Sequence, residues 1–453
     1  MGLIDWIKKK FSSNKDEVID YNEIDKLSKF SSDLVDIIHI NPNVYLAHKA
    51  ARICIGKDID ENFDKRIKHL EGVIGVNKHE SVAEHTNIIA VFKINKVHIE
   101  VAKDDFAEFM TVFKYCNIIK SPINNHHYIN LLIGGSIRGF MYALKEINSY
   151  NYFQQYLQEL CYSSIEKCFL KSLIDLEILD EEKCTHLPEG DTKEDNEETN
   201  TEIIDPNEIY GGHVNVVYMT PINKIYDKIK QYGFSLYDVY QVATISFVFH
   251  DISRSCSHQL VRHRNAISQE SQRYVMHDYT YNDFVNPIDL NRDEKYSDRR
   301  YKEVMEKTKS IANRGFNDYK WLIEHKVTKE DARAFLPTNV TTKLMMTMTY
   351  KNYAYFLQLR LDKAAQKEIR KLAEESSTLV IDRDKLQDFI EYLTTSRRKL
   401  KKTSTEETIY VDEIMEEKYI EPTPMEIKTE ESAQILLDKQ NQYREIEKKE
   451  MEI

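Results

Sequence analysis

An acidic stretch at residues 180–208 divides the chain into two blocks, and this division constrains the fold more than any other feature of the sequence. The stretch holds twelve Asp and Glu residues against two Lys, with two Pro and few large apolar side chains. Such a composition buries too little surface to offset the entropy lost on ordering, so we expect a linker. The predicted organisation is an N-terminal helical extension, a first block, this linker, a second block and a charged C-terminal tail, at residues 1–40, 41–179, 180–208, 209–395 and 396–453.

The composition favours a helix-rich cytoplasmic protein that does not bind nucleic acid. Charged residues make up 30% of the chain, there are 12 Gly, and the net charge of −12 opposes a general nucleic-acid surface. A few local arginines can still hold a small anion. The six Cys form no Cys-x-x-Cys or zinc-finger spacing, and no signal peptide is apparent. We therefore expect reduced thiols and no metal site.

No run of about 18 apolar residues is present, so we expect no membrane span. Residues 1–11 are amphipathic at helical spacing and carry three lysines. Two interpretations stay open for them: a helix docked on its own protein, or a weak membrane-surface anchor.

The two blocks show a weak internal repeat. In the first block residues 79–85 precede a strand-like run at 88–94, and in the second block residues 235–240 precede an alternating run at 243–249. Helix-like stretches follow in the same order, at residues 133–144 and 346–357. The sequence leaves three explanations open: a tandem duplication, one domain with an insertion of about 140 residues, or coincidence between two mixed domains.

The second block carries a dense polar segment. Arg262, His263 and Arg264 are followed eleven residues after Arg262 by Arg273 and Tyr274. Such groups are costly to bury without partners, so a cleft containing them needs an anionic ligand rich in acceptors. A phosphorylated nucleoside meets this requirement, whereas an exposed basic loop with ordinary salt bridges is the alternative from chemistry alone.

Residues 259–274 resemble the nucleotide- and flavin-binding signature of flavin-dependent thymidylate synthases. The shared features are Gln259, the Arg-His-Arg triplet, and the ending Ser-Gln-Glu-Ser-Gln-Arg-Tyr at residues 268–274. The spacing departs from the family, since six residues rather than seven separate Arg264 from Ser271. Residues 332–337 resemble the family's Ala-Arg-x-x-Leu-Pro, and residues 356–360 resemble a nucleotide-binding helix, which makes Arg333 and Arg360 candidate ligands.

The resemblance is incomplete in each block, and the deficits are complementary. Where the family has Asn-x-Arg and a downstream Asn, the second block has Thr349, Lys351 and Tyr355. It also lacks the family's His-x-Ser/Thr-x-x-Glu-His motif. The first block has that motif complete at residues 79–85, and has Ser136 and Arg138 at the Asn-x-Arg positions, but no Arg-His-Arg. We therefore expect the two blocks to complete one site together.

The resemblance implies an α+β fold in which long helices pack on antiparallel sheet, with two related subdomains. It also implies the conversion of dUMP to dTMP with FAD, NADPH and methylenetetrahydrofolate, in a homodimer that mimics a tetramer or in a homotetramer. The expected dUMP ligands are Gln259, Arg262, Gln269, Ser271, Gln272, Arg273, Arg333 and Arg360. The expected FAD ligands are His79, Ser81, Glu84, Ser136, Arg138, His263, Arg264 and Ser268. The expected catalytic residues are Arg262, Arg360 and His79.

Two other functions remain compatible with the sequence. A chain that has lost flavin affinity would bind nucleotides without catalysis, and a related enzyme would hydroxymethylate dUMP. No Gly-x-Gly-x-x-Gly fingerprint is present, so we expect no dinucleotide fold for FAD or NADPH.

Overall fold

The computed structural model describes residues 34–60, 62–123, 127–183, 210–211, 213–291 and 297–395. These residues form two antiparallel sheets covered by helices, which confirms the predicted α+β class. Most of the predicted N-terminal extension, most of the linker and the whole C-terminal tail lie outside this range. None of the described helices is both long and apolar enough to cross a bilayer.

The first block contains one four-stranded sheet. Its strands are β1 (Val35–Ile40), β2 (Ile88–Asn95), β3 (Cys116–Lys120) and β4 (Tyr128–Gly135). Its helices are α1 (Asn43–Cys54), α2 (Phe63–Leu70), α3 (Lys96–Val101), α4 (Lys103–Thr111), α5 (Ile137–Glu146), α6 (Gln154–Ser164) and α7 (Lys167–Ile174). Shorter helical turns are Glu71–Val76, Glu80–His85 and Glu181–Lys183.

The second block contains a five-stranded sheet. Its strands are β5 (Tyr210–Gly211), β6 (Val214–Met219), β7 (Thr244–Ser253), β8 (Ala266–Gln269) and β9 (Thr341–Thr349). Its helices are α8 (Ile222–Ile229), α9 (Leu236–Val242), α10 (Arg254–Leu260), α11 (Pro287–Leu290), α12 (Asp298–Glu324), α13 (Lys329–Ala332), α14 (Tyr350–Arg360), α15 (Lys367–Val380) and α16 (Leu386–Thr394). Shorter helical turns are Lys230–Tyr232, Val261–His263, Tyr281–Asp283, Arg333–Phe335 and Arg383–Lys385.

The two sheets have the same topology. The first has the order β1-β2-β4-β3, and the second has β6-β7-β9-β8 with β5 added at the edge. Every pair of neighbours is antiparallel. The irregularity between the first two strands also recurs, between Ile37 and His39 in one sheet and between Val216 and Tyr218 in the other. A shared strand order with a shared bulge supports duplication over a simple insertion, because bulges are specific features of a fold.

The two blocks pack reciprocally within one compact unit. Helix α1 and the turn Glu80–His85 of the first block lie on β8 and β9, while α9 of the second block lies on β3 and β4. The corresponding residues His39 and Tyr218 meet each other, with Nε2 2.6 Å from the tyrosine hydroxyl. The central strands β2 and β7 are consequently buried almost throughout.

The predicted strands are confirmed, whereas the two predicted helices begin later in the chain than expected. The expected strands at 88–94 and 243–249 correspond to β2 and β7. Residues 133–135 and 346–349, expected in helices, instead finish β4 and β9. The helices begin later because Ser136 and Thr349 accept hydrogen bonds from the N–H groups of Gly139 and Asn352. Such N-caps take extended backbone angles.

A buried polar network joins the blocks at His85. Its Nε2 lies 3.0 Å from the Ser268 hydroxyl, and its Nδ1 lies 3.0 Å from the Thr347 hydroxyl. The Thr347 hydroxyl also bonds Ser246 over 2.8 Å. Burial lowers the pKa of His85 to about 3, so the imidazole is neutral at physiological pH.

Close approach of the blocks predicts that Gly134→Ala is destabilising. A Cβ on Gly134 would lie 3.0 Å from the Cα of Val242 and nearer still to its side chain, so strand β4 and helix α9 would have to separate. We expect the free energy of unfolding to fall by about 2 kcal/mol, the usual cost of overpacking. Gly72→Ala is the matched control, since nothing lies within 4 Å of a Cβ there. Equal stability of the two variants in urea denaturation would contradict the packing described.

Candidate active site

The helix that precedes the Arg-His-Arg triplet is fixed at its start by a buried carboxylate. Strand β7 ends at Ser253, whose hydroxyl caps α10 by accepting from the N–H of Cys256. Ser253 donates from its N–H to Glu368 Oε1 over 2.7 Å and from its hydroxyl to Oε2 over 2.6 Å. Burial raises the pKa of Glu368. These contacts hold α10 against α15 and so orient the triplet that follows.

The triplet ends in an unusual backbone conformation. Residues Val261–His263 form a helical turn, and Arg264 adopts φ +53°, in the left-handed region. A non-glycine residue there costs about 1 kcal/mol, and such strain is often found at functional sites. Arg262 and Arg264 are exposed, and neither side chain forms a hydrogen bond or ion pair with the residues that the structure describes. Both guanidinium groups are therefore available to an anion.

His263 holds Arg360, a residue 97 positions away. The Nε of Arg360 donates to His263 Nε2 over 2.9 Å, so the imidazole is neutral and carries its proton on Nδ1. Burial and then the charge of Arg360 lower the pKa of His263 to about 4. The ring also packs edge-on against Phe356, with centroids 5.2 Å apart. The pKa of Arg360 is lowered mainly by burial, and the charge of the nearby Arg262 lowers it further. These contacts bring Arg262, His263 and Arg360 together.

Arg273 and Arg333 meet at Glu330. Arg273 Nε lies 3.0 Å from the Glu330 carboxylate, and Arg333 Nε donates to the Glu330 carbonyl over 3.2 Å. Sequence reasoning missed Arg254, the first residue of α10, which belongs to this arginine cluster. Burial and then the charge of Arg333 lower the pKa of Arg254. Neighbouring guanidinium groups of this kind are suitable donors for the oxygens of an anion.

Several predicted nucleotide ligands are engaged in internal hydrogen bonds. The Gln269 amide donates to the Ser257 hydroxyl over 3.0 Å, and the Gln259 amide bonds Gln366. Gln272 is buried, with its amide 3.5 Å from the Tyr279 hydroxyl. The Ser271 hydroxyl accepts from the N–H of Arg273 over 3.3 Å. These side chains shape the loop from within.

A cleft of about 650 Å³ lies between the blocks. We call it the inter-block cleft. The residues predicted from the sequence that line it are Glu84, Ser136, Arg138 and Arg264. Glu84 and Arg138 form an ion pair, and Ser136 caps α5. The structure thus brings Glu84 of the first-block motif, Ser136 and Arg138 to the same cavity as the last arginine of the triplet.

Other predicted flavin ligands lie elsewhere. His79 and Ser81 are exposed and do not line the cleft. Ser268 is 4% exposed and bonds His85, so it supports the cleft wall from behind. His263 lies on the Arg360 side of the triplet.

Sequence reasoning missed an aromatic wall of the inter-block cleft. Tyr115 and Tyr142 pack edge to face, with centroids 4.8 Å apart, and Tyr115 is 65% exposed. Lys114 lies 3.5 Å from the Tyr142 hydroxyl. Tyr142 lies on α5, whereas Lys114 and Tyr115 lie in the turn before β3, and no sequence motif marked these residues in advance.

Residues 159–383 match the family described as "Thymidylate synthase complementing protein". This match spans slightly less than half of the chain, which is similar over that region to flavin-dependent thymidylate synthases. It is similar to the flavin-dependent thymidylate synthase of Pyrococcus furiosus, with 36% identity over 163 residues, which are 35% of this chain and 64% of that protein. The same-named protein of Geobacter sulfurreducens is 39% identical over 155 residues, 34% of this chain and 62% of that protein. The chain thus covers less than two thirds of each relative.

Among solved structures, the chain is similar to a UMP/dUMP methylase, PolB, from Streptomyces cacaoi bound with 5-Br dUMP. The identity is 22%, the match covers 31% of this chain and 66% of that one, and the TM-score is 0.27.

Proposed function

We propose that the chain catalyses the FAD-dependent reductive methylation of dUMP to dTMP, with methylenetetrahydrofolate as carbon donor and NADPH as reductant. One observation supports this proposal: the Arg-His-Arg triplet adjoins two separate groups of polar residues. His263, the neighbour of Arg262, bonds Arg360, and Arg264 lines the cleft that holds Glu84 and Arg138. A nucleotide site next to a flavin site is the arrangement that this reaction needs.

The proposed dUMP site contains two groups of arginines that bind different parts of the nucleotide. Arg262 and Arg360 are proposed to bind the pyrimidine oxygens, where cationic donors stabilise negative charge developing in the transition state. His263 positions Arg360 by accepting its Nε–H. Arg273 and Arg333, with Arg254, are proposed to bind the phosphate. Gln259, Gln269, Ser271 and Gln272 shape the loop and bond the nucleotide through remaining donors and acceptors. No described histidine or carboxylate bonds the Ser271 hydroxyl, so a ligand role suits it better than a nucleophilic one.

The inter-block cleft fits a flavin. Arg264 offers a guanidinium that no described residue neutralises, and Asn265 and Asn352 supply amides along the wall. Arg138 is held in place by Glu84, Ser136 caps the helix that carries it, and Ser268 bonds the buried His85. His79 and Ser81 are proposed to border the entrance. When bound, the flavin supplies the hydride. The protein's residues bind and orient it.

Release of tritium from 5-tritiated dUMP tests the reaction. With FAD, NADPH and methylenetetrahydrofolate we expect tritium in water and dTMP as product. No release, under conditions where the Pyrococcus furiosus relative is active, would contradict the proposal. Mass analysis of the product separates methylation from hydroxymethylation. The hydroxymethylated product is heavier by one oxygen, because its C5 carries a hydroxymethyl group in place of a methyl group.

A nucleotide-binding protein without catalysis is the second candidate. Lys351 stands where the family has arginine, and its ammonium is occupied by Gln241 at 3.1 Å. The absorbance of the purified protein near the flavin bands discriminates between the two functions. A colourless protein that cannot be reconstituted with FAD supports the second candidate.

For assembly we propose a homodimer that mimics a tetramer, with a homotetramer as alternative. Each chain already contains two sheets of the same topology, so a dimer contains four such sheets, as many as a tetramer of single-sheet subunits. Mass measurement in solution distinguishes them. We further propose a cytoplasmic location.

A further inference from the structure

The duplicated topology allows the two blocks to be compared residue by residue. Ile88 pairs with Gly135 in the first sheet, and Ile245 pairs with Met348 in the second. The helix caps Ser136 and Thr349 follow directly. Arg138 and Lys351 therefore correspond, each two residues after its cap. Glu84 and Gln241 also correspond, each four residues before the paired isoleucine.

The contact between these residues recurs with altered chemistry. In the first block Arg138 forms an ion pair with Glu84. In the second block the Lys351 ammonium donates to Gln241 Oε1 over 3.1 Å. The position is the same, but a guanidinium–carboxylate pair has become an ammonium–amide pair. Lysine lacks the planar fork with which arginine binds phosphate oxygens in pairs.

The second pair lies in a cavity of its own, of about 510 Å³. We call it the second cleft. It lies between the β3 edge of the first block and helices α9 and α14 of the second, and Lys120, Tyr237, Gln241, Lys351 and Tyr355 line it. Tyr355 corresponds to Tyr142 of the inter-block cleft, and α9 packs on the first sheet as the turn Glu80–His85 packs on the second.

Two features make the second cleft unsuited to a flavin. The Lys351 ammonium lies 5.5 Å from the centre of the Tyr237 ring, so an aromatic side chain of the protein already covers it. The residue that corresponds to Arg264 is Tyr115, because Asn117 and Ala266 occupy equivalent places opposite Gly134 and Thr347. Tyr115 itself lies in the inter-block cleft, and the described residues that line the second cleft include no arginine and only one cation besides Lys351, which is Lys120.

We propose that flavin occupies the inter-block cleft alone, so that each chain binds one FAD although it carries two copies of the fold. This inference rests on the proposed function. The second cleft has become a packing contact, in which Lys351, Gln241 and Tyr237 join α14 to α9.

The pseudo-equivalent pairs provide matched variants. Glu84→Gln with Arg138→Lys gives the inter-block cleft the pair of the second cleft, and we expect FAD affinity to fall at least about tenfold, as for the loss of one charge-assisted hydrogen bond. Lys351→Gln should change FAD affinity by less than about twofold, because Lys351 contacts Gln241 and Tyr237 and not the flavin. A change of about twofold is well below the effect of losing one charge-assisted hydrogen bond. Circular dichroism verifies that each variant is folded, and Arg138→Lys alone is the milder substitute if the double variant is not.

The FAD-to-chain ratio, from flavin absorbance and amino-acid analysis of the full-length protein after gel filtration, completes the test. We expect a ratio of one in the wild type and in Lys351→Gln. A ratio of two that drops to one in Lys351→Gln would overturn the inference and leave the proposed function intact. A ratio of zero after reconstitution would overturn both.

Discussion

Replacement of Arg262 by glutamine is expected to weaken dUMP binding about 100-fold and to change FAD affinity less than about twofold. One lost hydrogen bond from a charged donor costs about 1.5–3 kcal/mol, and Arg262 is placed to make more than one such bond. The side chain is exposed and bonds no described residue, so its removal costs little stability. The loss should therefore appear in ligand affinity.

Arg264→Gln is expected to give the opposite result. Its guanidinium lines the inter-block cleft, so FAD affinity should fall by at least about tenfold while dUMP affinity holds. Arg264→Gly adds an independent test. It should lose FAD in the same way, but gain about 1 kcal/mol of stability because glycine adopts the left-handed conformation without strain.

Calorimetric titration of dUMP and fluorescence titration of FAD measure both affinities in each variant. Arg314→Gln is the matched control, since Arg314 is an exposed arginine on α12 that pairs only weakly with Asp318 at 3.8 Å. Equal loss of both ligands in Arg262→Gln and Arg264→Gln would show that the triplet serves one site rather than two.

The sequence predicted the parts of the fold that depend on local pattern. Strands β2 and β7 were recognisable because their runs of apolar residues are continuous or alternate with period two. The starts of α5 and α14 were misplaced because the apolar pattern continues from the strand into the helix. Only the capping hydroxyls of Ser136 and Thr349 mark the boundary.

The candidate site was predictable where a family motif covers it and unpredictable where contacts are distant. Arg262, Arg264 and Arg360 carry the resemblance, yet the hydrogen bond between Arg360 and His263 spans 97 residues. Sequence reasoning accordingly placed His263 with the flavin. Tyr115 reaches the inter-block cleft only because the two sheets pack together, a fact that no local pattern encodes.

The second large effect concerns acid stability and originates at His85. Burial lowers its pKa from 6.5 to about 3 in the folded protein. Between these values the unfolded state binds the proton and the folded state does not, so stability rises with pH. The contribution is fully present above pH 6.5 and is lost as the pH falls toward 3. One pKa unit corresponds to about 1.4 kcal/mol, so His85 alone should destabilise the protein by about 2 kcal/mol at pH 5 relative to pH 7.5.

His85→Gln tests the origin of this dependence. Glutamine retains a donor and an acceptor for the Ser268 and Thr347 hydroxyls but has no proton to take up. We expect the variant to be less stable than the wild type at pH 7.5, because its amide fits the network less well, and to lose less stability on acidification. Urea denaturation at pH 7.5 and pH 5 measures both the stability of the variant and its loss of stability on acidification. His258→Gln, at an exposed histidine, is the control. A variant whose stability falls as steeply as that of the wild type would place the acid sensitivity at other buried histidines, of which His39, with its pKa lowered to about 4 by burial, is the first to examine.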